Sequence, residues 1–286
     1  MISVVICSIN KILLRNISKN IAESIGVPYE ILIEDNSSGK RSIASVYNDL
    51  GSKAKYDIIC FIHEDVIIHT QNWGNSVVKL LADKKIGLIG ISGTIYKSKY
   101  PGTWSACDST FYRTHSIQHF SNSDKPVTTN INPDNVTYTK VAVIDGVFMV
   151  TTKYVFNEHA FDEKLFKGFH GYDIDYSMQV GKNYNIIVSY GLLLEHLSEG
   201  KLTNEWLRDS IILHKKWKNR LPINFFDLNK HDINLNDYLS VKLILLVSLK
   251  FKANRRIVLL NYFRLIFLFK KYNGFEFSKS VLKYFF

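Results

Sequence analysis

Asp57-Ile58-Ile59-Cys60-Phe61-Ile62 runs into His63-Glu64-Asp65, after which Val66-Ile67-Ile68 resumes. The apolar, β-branched run reads as a buried strand. A strand that stops on an imidazole and two carboxylates places those groups at one sheet edge. In open α/β sheets, ligands bind outside the carboxyl ends of the strands. Carboxylates there suit a hard divalent cation, Mn²⁺ or Mg²⁺, that bridges phosphate oxygens. The stretch therefore predicts a place for a metal and for the phosphates of a nucleotide.

The surrounding sequence supplies the sheet. Ile2–Ser8 and Tyr29–Asp35 read as strands, separated by a helix over residues 16–25 that ends at Gly26. The turn Asn36-Ser37-Ser38-Gly39 leads to a helix over 42–50, then to the acid-ended strand, a helix over Trp73–Leu81 and a strand over 86–91. This alternation predicts a Rossmann-like, doubly wound, mostly parallel α/β sheet. Residues 97–138, rich in Pro, Ser, Thr and Asn, break the rhythm and read as a long irregular insertion, either a functional lid or a disordered loop. A strand over 140–150, interrupted at Asp145-Gly146, precedes a helix over 173–180, a short strand over 185–188 and a helix over 203–218. The expected division is a catalytic domain over 1–225 and a helical, basic, amphipathic region over 226–286.

The chain has 286 residues, 46% hydrophobic and 13% aromatic, enough for one large domain and an appendage. Cys7, Cys60 and Cys107 are odd in number and lack metal-type spacing, which points to a reducing compartment. Met1 runs straight into a strand without a basic lead, so no secretory leader is expected. No apolar run reaches the length of a spanning helix. The net charge is +10, and residues 238–286 hold ten Lys and Arg against one acid, Glu276. The body is nearly neutral, so the charge concerns the tail.

Each candidate residue has two readings. Asp35, closing Glu34-Asp35-Asn36-Ser37, is either an Asx turn or an acceptor for a base N–H. Asp173 and Asp175, in Tyr172-Asp173-Ile174-Asp175, are either acids at a helix N-terminus or include a general base for a hydroxyl. The aromatic and glycine-rich run over 161–172 suits a sugar ring or ordinary packing. His196, after Leu192-Leu193-Leu194-Glu195, is either a core histidine or a metal ligand.

Together these segments, over roughly residues 2–215, resemble the nucleotide-sugar-dependent glycosyltransferases of the GT-A fold, family 2 in particular. Val4-Val5-Ile6-Cys7-Ser8-Ile9-Asn10 looks like that family's opening strand, and Asp35-Asn36-Ser37 like its base-contacting segment. Phe61-Ile62-His63-Glu64-Asp65 falls where the family carries Asp-x-Asp, with His63 in place of the first acid. Asp145-Gly146-Val147-Phe148-Met149 resembles the strand beneath the acceptor. Phe161-Asp162-Glu163 with Asp173-Ile174-Asp175 resembles the Phe-Asp-Glu and Glu-Asp-x-Asp pair, with Tyr172 where Glu is usual. His196-Leu197-Ser198-Glu199-Gly200 resembles a late His motif.

The resemblance implies inverting transfer from a nucleotide-diphosphate sugar, a UDP-sugar first, to a hydroxyl of a glycan or lipid-linked acceptor in bacterial surface polysaccharide synthesis. It implies nucleotide contacts at Cys7, Ser8, Asp35, Ser37, Glu64 and Asp65, and a metal on Asp65 and His196. Asp145, Gly146, Tyr172 and Asp175 would face the acceptor, with Asp173 as catalytic base.

Two other readings compete. A nucleotidyltransferase needs a glycine-rich phosphate loop, but Cys7-Ser8-Ile9-Asn10-Lys11 has no glycine. A nucleic-acid-binding protein would use the basic tail. There the basic residues are interleaved with Leu, Ile and Phe, and no nucleic-acid partner is expected. With 238–272 taken as one helix, Lys242, Lys250, Lys252, Arg256, Arg264, Lys270 and Lys271 share an arc of about 160°, and Arg255 lies outside it. That arc predicts a helix lying on an anionic membrane, the other reading being a helical pair packed on the catalytic domain or a partner's interface. The resemblance implies a cytoplasmic protein peripheral to the inner face of the cytoplasmic membrane.

Overall fold

The computed structural model describes residues 1–272 and 274–285, without the side chains of Lys270 and Phe275. β1 (Ile2–Ser8), α1 (Lys11–Ser24), β2 (Tyr29–Asp35), α2 (Ile43–Lys53), β3 (Ile58–Ile62), β4 (Val66–Ile68) and α3 (Trp73–Leu81) come first. β5 (Ile86–Gly90), β6 (Ser92–Thr94), β7 (Tyr96–Lys97), β8 (Tyr112–Gln118), β9 (Val127–Ile131), β10 (Tyr138–Lys140), β11 (Val143–Ile144) and β12 (Phe148–Thr152) follow. Next are α4 (Lys153–Glu158), α5 (Tyr172–Val180), β13 (Asn185–Ser189), β14 (Leu194–His196), α6 (Asn204–Trp217) and β15 (Ile223–Asn224). The last helices are α7 (Lys230–Lys250), α8 (Arg255–Leu268) and α9 (Ser278–Phe285). These elements form two compact units: Met1–Ile95 with Tyr112–Gly200, and Tyr96–Phe111 with Lys201–Phe286.

The first unit is built on a seven-stranded sheet in the order β10-β13-β5-β12-β3-β1-β2. β1, β2, β3, β5 and β13 are mutually parallel, and β10 and β12 run against them. All five residues of β3 are buried. Covered on both faces, the strand must be apolar throughout, which is why it reads as a continuous run rather than an alternation. Val4, Ile6, Cys60, Ile62, Trp73 and Phe148 share its core.

Register then sets the site. Ser8 of β1 lies opposite Asp35 of β2, and Ile6 opposite Ile62 of β3, so the three strands end together. Antiparallel β12 starts where β3 stops, with Phe148 opposite Ile62. The His63 amide donates to the Val147 carbonyl at 3.1 Å, which brings Asp145 and Gly146 to the same edge. A smaller sheet, β11-β6-β8-β14-β4 with β9 on β8, carries the rest. There His196 of β14 pairs with Val66 of β4, and the Leu197 amide donates to the Asp65 carbonyl at 2.9 Å.

Three expectations are corrected. The first helix starts earlier than residue 16, because the Asn10 side chain accepts from the Ile12 and Leu13 amides at 2.9 and 3.3 Å and caps α1 directly after β1. The 97–138 stretch is not irregular. Tyr112–Gln118 and Val127–Ile131 pair as antiparallel β8 and β9, and β10 joins the main sheet. Thr, Tyr and β-branched residues favour strands even where the segment is polar. Residues 96–111 belong to the second unit. Its α7 holds them with Asp237, which accepts from Tyr96 Oη at 2.8 Å and Ser98 Oγ at 2.6 Å, and with Asn236, which accepts from the Asp108 amide at 2.6 Å.

The third correction concerns the tail. α6 packs Trp206 and Leu207 against Ile244 and Val247 of α7, so the division between units follows Gly200 rather than residue 225. Residues 238–272 are not one helix. α7 ends at Lys250, Lys252 takes a left-handed φ of 50°, and the Asn254 side chain caps α8 by accepting from Arg256 N at 2.9 Å. A break of this kind resets the angular relation between helices, so the single basic arc does not exist. Lys242 instead pairs with Glu276 at 3.1 Å, and the Arg264 guanidinium lies 5.0 Å from the centre of the Tyr100 ring. Among the described residues no helix is long and apolar enough to cross a membrane.

Candidate active site

Three side chains converge beyond the end of β3. His63 Nδ1 lies 4.0 Å from one oxygen of Asp65, and His196 Nε2 lies 3.5 Å from the other. One ligand atom from each residue falls within 4.8 Å of the others, a spacing that a single cation spans. Burial alone would raise the Asp65 carboxyl, but the His196 hydrogen bond and charge and the Ser198 hydroxyl outweigh it and hold Asp65 well below the usual carboxylate range. Burial and then the His196 charge lower His63, so its imidazole is neutral and able to ligate.

The hydrogen bonds behind the two histidines define where their lone pairs point. Gln118 Nε2 donates to the His119 carbonyl at 2.7 Å and to the Ser198 carbonyl at 2.6 Å. Its Oε1 is thus the acceptor facing His196 Nδ1 at 3.1 Å, so Nδ1 carries a proton. Nε2 is therefore the nitrogen that faces Asp65, and a cation bound there would take the place of its proton. On the other side, the Tyr172 hydroxyl donates to the Gly146 carbonyl at 3.4 Å and lies 2.8 Å from His63 Nε2. That contact fixes the His63 ring with Nδ1 on the side of Asp65. Outer hydrogen bonds of this kind are what orient metal-binding histidines. The residues therefore fit a divalent cation, and His63 joins Asp65 and His196 as a third donor.

Gly146 is required by the same contact. A Cβ there would overlap the Tyr172 hydroxyl and crowd the Asp173 Cβ.

Asp173 sits in the first turn of α5, behind Gly171 in the left-handed region. Burial, then the neighbouring Asp145 carboxylate, push its pKa up to about 7, against the backbone N–H bonds of Ile174, Asp173 and Gly146. A carboxylate at that value can take a proton near neutral pH. Asp145 itself accepts from the Val147 amide at 2.8 Å, which shapes the turn before β12.

Two expected contacts are corrected. Asp175 is fully buried and accepts from Gln179 Nε2 at 2.9 Å. Two helical residues on, a side chain points about 200° away from Asp173, into the core rather than toward an acceptor. Glu64, expected among the nucleotide contacts, is buried and turned to the β1–α1 loop. Its carboxylate accepts from Ser8 Oγ at 2.5 Å, from the Ile9 amide at 3.1 Å and from the Asn10 amide at 3.1 and 3.2 Å. Glu64 thus clamps the β1–α1 loop, because consecutive residues leaving a strand face opposite ways and Asp65 takes the open side. Ser8 is spent on that clamp and is buried.

Asp35 and Ser37 are exposed at the end of β2, where Asp35 accepts from the Ser37 amide at 3.1 Å in an Asx turn. Cys7 lies below them. Burial pushes its thiol up to about 11, so it is inert as a nucleophile. Asn36, not singled out by sequence, donates to the Arg41 carbonyl at 2.9 Å and accepts from the Arg41 amide at 3.2 Å, closing that loop.

With this geometry in place, the glycosyltransferase-like family matches residues 3–210, nearly all of the first unit and the start of α6. The chain belongs to that family. No curated protein matches it in sequence. Among solved structures it is similar to GalNAc-T7 with UDP, GalNAc and Mn²⁺, at TM-score 0.53 and 10% identity over 76% of this chain and 49% of that one. It is also similar to the mannosyltransferase PcManGT from Pyrobaculum calidifontis in complex with GDP-Man and Mn²⁺, at TM-score 0.50 and 12% identity over 99% and 84% of the two chains. The chain spans about half the length of the first of these. The likeness is one of fold, the GT-A arrangement of a mostly parallel sheet beside a smaller one.

Within this glycosyltransferase-like fold, Gln118 and Ser198 are the groups that sequence reading missed. Gln118 lies on β8, nearly eighty residues from His196, and no spacing signals it. Gln118→Leu is expected to weaken Mn²⁺ binding roughly 10–100-fold by freeing the His196 tautomer, with the fold intact. Titration calorimetry with Mn²⁺ measures this, and an unchanged affinity would assign Gln118 to packing alone.

Proposed function

We propose that the chain is an inverting glycosyltransferase that moves a sugar from a nucleotide-diphosphate sugar, UDP-linked first, to a hydroxyl of a glycan or lipid-linked acceptor. The observation that carries this reading is the meeting, at one sheet edge, of a His63-Asp65-His196 donor set and an Asp173 carboxylate raised to about 7. The family match and the Mn²⁺ and nucleotide-sugar complexes of the two similar folds support it.

Asp35 and Ser37, exposed at the end of β2, present a carboxylate and a hydroxyl to the base and ribose. The Glu64 clamp keeps the β1–α1 loop open in shape for the nucleotide. His63, Asp65 and His196 would hold a divalent cation, which when bound would neutralise charge on the leaving diphosphate. Two imidazoles and one carboxylate suit Mn²⁺ better than Mg²⁺. Asp173 takes the proton of the acceptor hydroxyl, and that oxygen attacks the anomeric carbon. The bond from the anomeric carbon to the diphosphate oxygen breaks, the electron pair leaves with the nucleoside diphosphate, and attack from the opposite face inverts the centre. Tyr172, hydrogen-bonded to His63, links the cation side of the site to the helix that carries Asp173. A role in bacterial surface polysaccharide synthesis agrees with such an acceptor.

The test is a thermal-shift screen of UDP, GDP and their sugars with Mn²⁺, Mg²⁺ or EDTA. A ligand at 100 times its Kd adds about 2.7 kcal/mol of native stability and a measurable rise in Tm. A rise with one nucleoside diphosphate and Mn²⁺ together supports the reading. No rise with any of them rejects it.

A further inference from the structure

We propose that the outer face of α8 seats the protein on an anionic lipid surface. The break before α8 removes the basic arc expected of one long helix, and the exposed side of α8 is instead apolar. Val258, Asn261 and Leu265 are its buried side, with Val258 and Leu265 in a core with Tyr238, Val241 and Leu245 of α7. On the opposite side, Arg256, Leu260, Phe263 and Phe267 follow at spacings of four, three and four, the stripe of one helix face. Leu260 is 51% exposed, Phe263 47%, Phe267 70% and Leu268 61%. Phe263 and Phe267 stack on each other with ring centres 5.9 Å apart. Three large apolar side chains in one exposed stripe, with exposed Leu268 on the adjoining face, are more than the scattered apolar residues of an ordinary surface.

Charge decides the occupant. Lys250, Lys252, Arg255, Arg256, Lys271, Lys279 and Lys283 are all exposed in the same compact unit. Glu276, the one acid of residues 238–286, is paired with Lys242. α9 packs on the α8 core through Val281 and leaves Lys279, Leu282 and Lys283 outward. A second copy of this chain would bring two such basic surfaces together and repel. A nucleic acid would use the charge and could stack on phenylalanine, but gains nothing from Leu260 and Leu268. An interface of acyl chains under anionic headgroups takes both, the apolar side chains below and the cations at the phosphate level. The proposal is independent of glycosyl transfer.

The experiment is sedimentation of the full chain with phosphatidylglycerol/phosphatidylcholine vesicles and with phosphatidylcholine alone, at low and high salt. Binding is expected only to the anionic vesicles and should fall with salt. Phe263→Ser with Phe267→Ser is expected to lower it roughly tenfold or more, since the two rings no longer enter the acyl layer. Lys279→Glu with Lys283→Glu is expected to lower it at least about tenfold through charge alone. These residues are exposed, and circular dichroism checks that each variant folds. The proposal is overturned if wild type stays in solution with anionic vesicles, or if it sediments equally with phosphatidylcholine. It is also overturned if the phenylalanine pair instead abolishes a dimer seen by analytical ultracentrifugation, or if an oligonucleotide competes all binding away while the variants bind vesicles as wild type does.

Discussion

Asp173→Asn is expected to cut glycosyl transfer by roughly 10²–10⁴ and at the same time to make the metal-free protein more resistant to heat at pH 8. Both effects come from one property. Burial and the Asp145 carboxylate raise the native Asp173 to about 7. In the unfolded chain an aspartate titrates near 3.9. Between these values the native state holds a proton that the unfolded state has released, so stability falls as pH rises from about 4 to about 7 and stays lower above. Asparagine carries no charge at any pH and escapes this penalty. The gain over wild type should therefore be absent below about pH 4, grow through the window and level off above it. Transfer needs the ionised form, so the wild-type rate should climb as pH rises through the same range. A bound cation nearby favours the carboxylate and moves the climb to lower pH. Melting curves at pH 4 and pH 8, with turnover at each, measure both halves. Near-normal turnover in the variant, or a stability gain that ignores pH, would remove Asp173 from the role of base.

Asp65→Ala is expected to abolish the stimulation of nucleoside diphosphate binding by Mn²⁺ and to leave the weak binding in EDTA unchanged. Outer groups change metal affinity by roughly 10–100-fold, and loss of the carboxylate that both histidines face should exceed that. A second readout needs no metal. Against burial, the Asp65 carboxylate holds His196 above the ordinary histidine range through its hydrogen bond and its charge. Removing it should return the imidazole to a lower pKa, visible by NMR titration. Equal loss of nucleotide binding with and without Mn²⁺, or an unmoved His196, would mean that Asp65 supports the loop and not a cation.

Particular residues show how much of this was legible in the sequence. β3 was plain because a strand buried on both faces must be apolar from end to end. The helix starts at Ser42 and Thr203 were legible because their side chains cap α2 and α6 through local hydrogen bonds. Asp175 was misplaced because a motif names neighbours in sequence, whereas a helix sends residues two apart to different faces. Glu64 was misplaced for a related reason: a strand end turns successive side chains to opposite sides, and pattern alone does not say which side is open.

The tail shows the opposite limit. Its composition, ten basic residues against one acid, is readable without coordinates. Its surface is not, because the break at residues 251–254 rotates α8 relative to α7 and the packing around Val258 and Leu265 selects the face that remains outside.

By itself, then, the sequence determined the parallel strands of the first unit, the order of their apolar runs and the acids at their ends, since these rest on local periodicity and short-range hydrogen bonding. Only the tertiary structure decided that His63 is a third donor, that Gln118 and Tyr172 point the two imidazoles at Asp65, and that Gly146 must lack a side chain. Those depend on contacts between residues tens of positions apart. Such contacts are set by strand register and by the meeting of two sheets, which no local pattern encodes.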